Sequence, residues 1–215
     1  MSRLGRIALP LALFISVAAS SAGALACGTG NVLFKDDFSK LDRAWGITLG
    51  KNASVGADGF KLTYAANNFY SALNQSSLYD DYEICMKAAI EYKGDDGPYF
   101  GVVFWGVDDK NYYSLDLAPN TQIYSVWRLQ KNRALKPIPW TESKAVVKDS
   151  GQVNEISVLV KGKHAVVSIN GQKVDELDGV QPDGGSVIGF EYGTSKSDKG
   201  ESTMILKSIE VREAP

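Results

Sequence analysis

The sequence predicts an all-β protein that folds as a two-sheet antiparallel jelly-roll sandwich. Short segments of alternating apolar and polar residues follow one another from Asn31 to the end of the chain. Turn residues such as Asp58-Gly59 and Asn170-Gly171 separate these segments. No convincing amphipathic helix occurs among them. Many short strands without helices are typical of a sandwich or jelly roll.

The first 26 residues have the features of a secretory signal peptide. Arg3 and Arg6 precede a short apolar stretch, and Ala24-Leu25-Ala26 has the small-x-small pattern of a cleavage site. No later apolar run is long enough to span a membrane. We therefore predict a signal peptide at 1–26, a single sandwich domain at 27–215, and a secreted or periplasmic bacterial protein. The net charge of −2, without a Lys/Arg-rich run, argues against a nucleic-acid partner.

Cys27 and Cys85 are the only two cysteines. An even number in an oxidising compartment favours a disulfide between them. Because Cys27 directly follows the predicted cleavage site, a bacterial lipid anchor on this residue is a second interpretation. In a third, both cysteines are free or Cys27 is trimmed. Two isolated cysteines do not suit a metal site.

The individual strands follow from local patterns. In Asp81–Tyr92 alternate residues are apolar, and Cys85 falls on the opposite, polar face. Pro137 and Pro139 interrupt Arg133–Trp140, which predicts an edge strand or a loop because proline cannot donate to a ladder. The other predicted strands outside the central segment are Val32–Phe38, Trp45–Leu49, Gly59–Tyr64, Phe69–Leu73, Asn154–Lys161, Lys163–Asn170, Gln172–Leu177, Gly185–Tyr192 and Ser202–Glu213. Gly193–Gly200 is predicted to be a polar loop.

The central segment, Gly97–Lys131, contains three predicted strands that are rich in aromatic residues. Alternation along each strand assigns one set of side chains to the core: Phe100, Val102, Phe104, Tyr113, Leu115, Leu117, Ile123, Ser125, Trp127 and Leu129. The opposite face then carries Tyr99, Trp105, Tyr112, Asp116, Tyr124 and Arg128, with Gly101 leaving room between them. Exposed aromatic rings can stack on sugar rings, and planar polar groups can bind hydroxyls. This face is the predicted ligand-binding surface.

Alternation leaves a second interpretation of this segment open. A one-residue change in register exchanges the two faces of a strand. A second sheet, a loop or a partner could also cover the predicted binding face. Trp105 and Tyr124 would then be core residues, and Asp116 and Arg128 would form a cross-strand ion pair.

Several motifs occur in a characteristic order along the chain. They are DDFS at 36–39 followed by Trp45, FGVVFW at 100–105, NYYSLDL at 111–117, IYSVWRL at 123–129, IPWTES at 138–143, NEISVLVKG at 154–162, VSINGQKV at 167–174 and IEVRE at 209–213. In this order the chain resembles concanavalin A-like lectin/glucanase jelly rolls. More narrowly, it is similar to bacterial laminin-G-like modules related to 3-keto-disaccharide hydrolase domains and to glycoside hydrolase family sixteen. The resemblance implies a sugar bound across the concave sheet.

The sequence contains no recognisable catalytic constellation. The resemblance to family sixteen implies Glu-x-Asp-x-Glu on one strand, and this motif is absent. A two-carboxylate site of Asp116 with Glu191 stays open, because Glu191 lies on a predicted strand whose alternation directs it toward the same groove. Asp81 and Glu83 look like a solvated strand entry, and His164 like a surface residue. No nucleophile elbow, phosphate loop, zinc pattern or dinucleotide fingerprint occurs.

We therefore predict a non-catalytic module that binds an oligo- or polysaccharide. Two alternatives remain: a glycoside or keto-sugar hydrolase or lyase acting in the same groove, and an envelope protein-interaction module. No catalytic or metal-binding residue is predicted, and no cofactor is expected. The acidic pairs Asp36-Asp37, Asp95-Asp96 and Asp108-Asp109 could nevertheless supply oxygen ligands to a structural calcium ion. The predicted ligand-binding residues are Tyr99, Trp105, Tyr112, Asp116, Tyr124, Arg128 and Glu191.

Overall fold

The structure is a computed structural model that describes residues 27–93, 97–198 and 200–215. The predicted signal peptide and the acidic pair Asp95-Asp96 lie outside the described residues. Within the described ranges, no helix has the length and apolarity needed to cross a membrane.

Two antiparallel sheets pack face to face, which confirms the predicted jelly-roll sandwich. The strands are β1 (Val32–Asp36), β2 (Ala53–Gly56), β3 (Gly59–Tyr64), β4 (Phe69–Tyr79), β5 (Tyr82–Glu91), β6 (Tyr99–Asp108), β7 (Asn111–Ala118), β8 (Ile123–Gln130), β9 (Arg133–Glu142), β10 (Asn154–Lys161), β11 (His164–Ile169), β12 (Gln172–Asp178), β13 (Ser186–Gly193) and β14 (Ser202–Glu213). One sheet has the order β12-β11-β10-β5-β14-β3-β2, with β1 paired to β14. The other has the order β4-β13-β6-β7-β8-β9.

The structure differs from the predicted strands mainly near the start of the domain. Trp45 ends a short 3₁₀ helix, Arg43–Trp45, instead of beginning a strand, because the Asp42 side chain caps that helix by accepting from the Ala44 N–H. Strand β2 was not predicted, and β4 is longer than predicted. Residues 75–78 of β4 are exposed on a strand at the edge of its sheet, so they show no apolar alternation.

The core lies between the two sheets, and β5 shows how alternation builds it. Tyr82, Ile84, Met86 and other alternate residues of β5 are buried in the core cluster, as predicted. Cys85 therefore faces away from the core. It forms a disulfide with Cys27, with a Cα–Cα distance of 5.7 Å. A lipid anchor would use the same sulfur of Cys27, so the anchor and the disulfide exclude each other.

Strand β9 is at the end of the six-stranded sheet and pairs only with β8. This placement confirms the edge strand expected from Pro137 and Pro139. The turn at Asn170-Gly171 has positive φ at both residues, 50° and 76°, which is the type I′ geometry expected of that dipeptide.

Candidate functional site

Two carboxyl groups meet above a glycine in the middle of the six-stranded sheet. Gly101 on β6 pairs with Asp116 on β7 and with Glu191 on β13. Directly opposed residues share a face of the sheet, so both acidic side chains project from its outer face, away from the core. A Cβ atom at position 101 would lie 2.1 Å from Asp116 Oδ1. The missing side chain of Gly101 therefore provides the space that the Asp116 carboxyl occupies.

The two carboxyl groups are buried although they lie on the outer face. Asp116 is 2% exposed and Glu191 is 3% exposed. Burial removes the water that stabilises a charged carboxylate and raises the pKa of Asp116 well above its ordinary value of 3.8. The charge of Glu191 and the hydrogen bond with Glu191 raise the pKa of Asp116 further.

Burial also raises the pKa of Glu191, and hydrogen bonds from neighbours, first of all Asp116, oppose part of this effect. The different environments of the two carboxyls predict one shared proton. Because the pKa of Asp116 is raised the more strongly, we expect this proton on Asp116, with Glu191 as its acceptor. Such a pair resembles other carboxyl dyads in which two close acids cannot both ionise.

The pair is short of hydrogen-bond donors. The Tyr112 hydroxyl bonds to Glu191, but within the described part of the chain one oxygen of each carboxyl, Asp116 Oδ1 and Glu191 Oε2, is buried without a hydrogen-bond partner. The shared proton supplies one donor, and a ligand hydroxyl can supply another. An unsatisfied buried polar atom costs about 1–3 kcal/mol, so the pair favours a ligand that donates to it.

A pocket of about 210 Å³ opens at the carboxyl pair and has largely aromatic walls. Tyr99 lies over Gly193, where a Cβ would come within 2.3 Å of the phenol ring. Burial, followed by the nearby carboxyl charges, raises the pKa of both Tyr99 and Tyr112, so both phenols keep their protons. The complete lining is Phe69, Tyr99, Tyr112, Ser114, Asp116, Trp127, Arg128, Leu129, Ala134 and Glu191.

The two faces of β8 are the reverse of those predicted. The β7–β8 ladder places Trp127 opposite Ser114, on the pocket face. Tyr124 instead lies in the core, 3% exposed, and its hydroxyl donates to the Val174 carbonyl of the other sheet. Both alternate sets of β8 contain large apolar residues, so alternation alone could not choose between them. The prediction of Tyr124 as a ligand-binding residue and of Trp127 as a core residue is wrong.

Trp105 is also in the core, for a different reason. Its φ is 45°, and the β6–β7 ladder is irregular between Phe104 and Asp108. This bulge brings Trp105 to the same side as Phe104, with a ring-centroid distance of 5.2 Å. The predicted place of Trp105 on the binding face is therefore wrong. Gly106 was the available signal, since a glycine inside a strand often marks a bulge.

Arg128 lines the edge of the pocket but does not pair with Asp116. Its guanidinium carbon lies 5.2 Å from the centroid of the Tyr113 ring. The cross-strand ion pair considered from the sequence does not form between these two described residues. Of the seven predicted ligand-binding residues, the pocket brings together Tyr99, Tyr112, Asp116, Arg128 and Glu191. Phe69, Ser114, Trp127, Leu129 and Ala134 complete it and were not predicted.

The acidic pairs that lie within the described residues mainly hold turns. Asp36 accepts hydrogen bonds from the Phe38 N–H and the Trp45 indole, and Asp108 accepts from the Lys110 N–H. In the described ranges no group of three or more His, Cys, Asp or Glu side chains is placed to hold a metal ion. A structural calcium ion stays an untested prediction.

Solved structures with the same fold include sugar-binding and sugar-cleaving proteins. The carbohydrate binding module CBM66 of Bacillus subtilis has a TM-score of 0.56 at 11% identity, covering 73% of this chain and 89% of its own. The catalytic domain of an endo-1,3-β-glucanase (laminarinase) of Thermotoga petrophila has a TM-score of 0.59 at 12% identity, covering 86% and 98%. A glycoside hydrolase family 16 endo-glucanase of Bacteroides ovatus has a TM-score of 0.59 at 16% identity, covering 83% and 99%.

No protein-family model matches the chain, and no curated protein sequence matches it either. At such low identities the structural likeness shows the fold alone. That fold is the concanavalin A-like jelly roll that the sequence motifs resemble.

Proposed function

We propose that the pocket on the outer face of the six-stranded sheet binds a carbohydrate. The observation that carries the proposal is the set of aromatic rings around a buried carboxyl pair in which one oxygen of each group has no donor among the described residues. Trp127 and Phe69 offer apolar plates for the C–H faces of a sugar ring. Asp116 and Glu191 offer acceptors for its hydroxyls. A small number of polar groups within an apolar pocket is the usual composition of a small-ligand site.

The comparisons support the ligand class as an analogy. The similar solved structures include a carbohydrate binding module, a laminarinase and a family 16 endo-glucanase. Because a fold hosts many functions, this support is weaker than that from the pocket itself. A recessed pocket also favours a small ligand over the flat or covered face that an envelope protein-interaction module would present.

One observation favours a second candidate, a glycoside hydrolase acting in the same pocket. A protonated Asp116 beside an ionised Glu191 supplies the acid and the carboxylate that glycosidases require. Against it stands the direct contact between the two groups. Glycosidases hold their carboxyls roughly 5 Å or more apart, with the scissile bond between them. Binding without catalysis therefore stays our first candidate.

The test is calorimetric titration of the purified protein with neutral and anionic oligosaccharides. Trp127→Ala removes the largest ring of the pocket, and we expect affinity to fall about tenfold or more, which is about 1.4 kcal/mol. Trp127→Phe keeps an aromatic plate and serves as the matched control, with a smaller loss. Release of reducing ends is measured in the same samples.

Three outcomes would change these conclusions. Unaltered affinity of a well-folded Trp127→Ala variant would remove the pocket as the site. Failure of every oligosaccharide to bind would remove the carbohydrate proposal. Turnover that disappears in Glu191→Gln while binding persists would establish the hydrolase instead.

A further inference from the structure

The hairpin β8–β9 beside the pocket carries an unbalanced positive charge. Arg128, Lys131, Arg133 and Lys136 lie within one short stretch that contains no Asp or Glu. The chain as a whole has more acidic than basic residues. In the described part of the chain, none of these four side chains forms an ion pair. This edge of the sheet is therefore locally cationic without an internal counter-charge.

Lys136 brings this charge to the wall of the pocket. Its ammonium nitrogen lies 4.4 Å from the centroid of the Trp127 ring, and Trp127 lines the pocket. The indole Nε1 of Trp127 is buried and has no acceptor among the described residues. An ammonium and an indole N–H, both without an acceptor, thus stand together on the β9 side of the pocket.

Arg128 lines an adjoining pocket of about 190 Å³, where its guanidinium lies over the Tyr113 ring, on the other face of β8 from Trp127. Both pockets are lined by Tyr112, Arg128 and Leu129. On the outer face, Lys136 and the Trp127 N–H thus lie on the β8–β9 side, and the acceptors lie around the carboxyl pair on β7 and β13.

We propose that the ligand of the pocket is an anionic sugar, whose carboxylate or sulfate substituent contacts Lys136 while its hydroxyls contact the carboxyl pair. This inference rests on the proposed carbohydrate-binding function and names the class of carbohydrate. The division between a donor side and an acceptor side sets the orientation of the sugar.

The position of Lys136 explains why a neutral sugar fits less well. A sugar ring that stacks on Trp127 displaces the ammonium from the face of the indole, where the two groups attract each other. A neutral sugar provides no new partner for the displaced charge. An anionic substituent provides one, in a charge-assisted contact that is stronger than a neutral hydrogen bond. The shared proton of the carboxyl pair also limits the repulsion of a negative ligand.

The experiment compares three probes by calorimetry with the intact purified protein. They are oligogalacturonate, which carries carboxylates, a dextran sulfate oligosaccharide, which carries sulfates, and a neutral laminari-oligosaccharide. Lys136→Gln is expected to weaken binding of the anionic probe about tenfold. Lys161→Gln, at the end of β10 in the other sheet, removes the same charge and is expected to leave affinity unchanged. Added salt should weaken binding of the anionic probes more than binding of the neutral probe.

Each outcome supports or overturns the inference. Preference for oligogalacturonate or for dextran sulfate, with sensitivity to Lys136→Gln alone, supports it and identifies the anionic group. Equal or tighter binding of the neutral probe, insensitive to Lys136→Gln, overturns it and leaves the proposed function standing. Equal losses of affinity in Lys136→Gln and Lys161→Gln overturn it, because they would show an effect of the protein's overall charge and not of a contact at Lys136. Binding of none of the probes overturns the proposed function as well.

Discussion

Trp105 and Trp127 belong to the same six-stranded sheet and lie on opposite faces of it. Trp105 is 1% exposed and packs against Phe104 and Tyr113, with ring-centroid distances of 5.2 and 5.1 Å. Trp127 is only partly buried, and its neighbour is the ammonium of Lys136. Both faces contain aromatic rings, so aromatic content does not distinguish the core from the pocket. The distinguishing feature is the buried carboxyl pair, which occurs on the outer face.

The polar groups of the two faces also differ in how far they find hydrogen-bond partners within the protein. On the core side, the Tyr82 hydroxyl accepts from the backbone N–H of Trp105, and the Tyr192 hydroxyl bonds to the Ser202 hydroxyl. On the outer face, Asp116 and Glu191 have only each other and their closest neighbours. Core hydroxyls that find protein partners stabilise the fold. The one oxygen of each outer carboxyl that has no donor among the described residues is available to a ligand.

The largest expected effect that tests this comparison is on stability. Trp105→Ala should lower the free energy of unfolding by about 3–5 kcal/mol, because it empties a filled space between the sheets. Trp127→Ala should lower it by less than about 1 kcal/mol, because this ring already contacts solvent. Urea unfolding followed by circular dichroism measures both. Equal losses in the two variants would mean that the two faces are not energetically distinct.

A smaller effect is expected at Gly101. In Gly101→Ala the added Cβ occupies the position of Asp116 Oδ1, so the carboxyl must move away from Glu191. We expect a loss of about 1–3 kcal/mol in unfolding free energy together with weaker ligand binding. Gly56→Ala is the matched control, since a Cβ at Gly56 on β2 meets nothing within 4 Å.

The Gly101 effect should also be coupled to Asp116. The double variant Gly101→Ala with Asp116→Ala should lose less unfolding free energy than the sum of the losses in the two single variants, because the crowded carboxyl is gone. Strict additivity of the two changes would show that the strain at Gly101 arises elsewhere.

The smallest effect concerns the shared proton. Because the native pKa of Asp116 is raised above 3.8, the folded protein holds a proton that the unfolded chain releases, and stability falls as pH rises above about 4. Asp116→Asn removes this titration and keeps a donor toward Glu191. We expect the variant to match the wild type near pH 4 and to be more stable than it at pH 8. Urea midpoints across this range measure the slope. A slope that Asp116→Asn leaves unaltered would place the proton elsewhere.

Local patterns in the sequence were sufficient for much of the fold. Alternation in β5 assigned its core side correctly and left Cys85 on the opposite face, where Cys27 reaches it. The Asn170-Gly171 turn followed from the same local chemistry. These features depend on residues a few positions apart, so a single chain segment contains all the information that they need.

The site required pairings between distant segments. The tertiary structure alone shows which face of β8 turns outward and that a bulge rotates Trp105 into the core. It also brings Glu191 beside Asp116 across Gly101, in a register that no local pattern encodes. The sequence by itself determined that these strands form a sandwich with aromatic residues at its centre. Only the packing of strands distant in the chain decided which of those aromatic residues line a pocket, because register is set between strands and not within them.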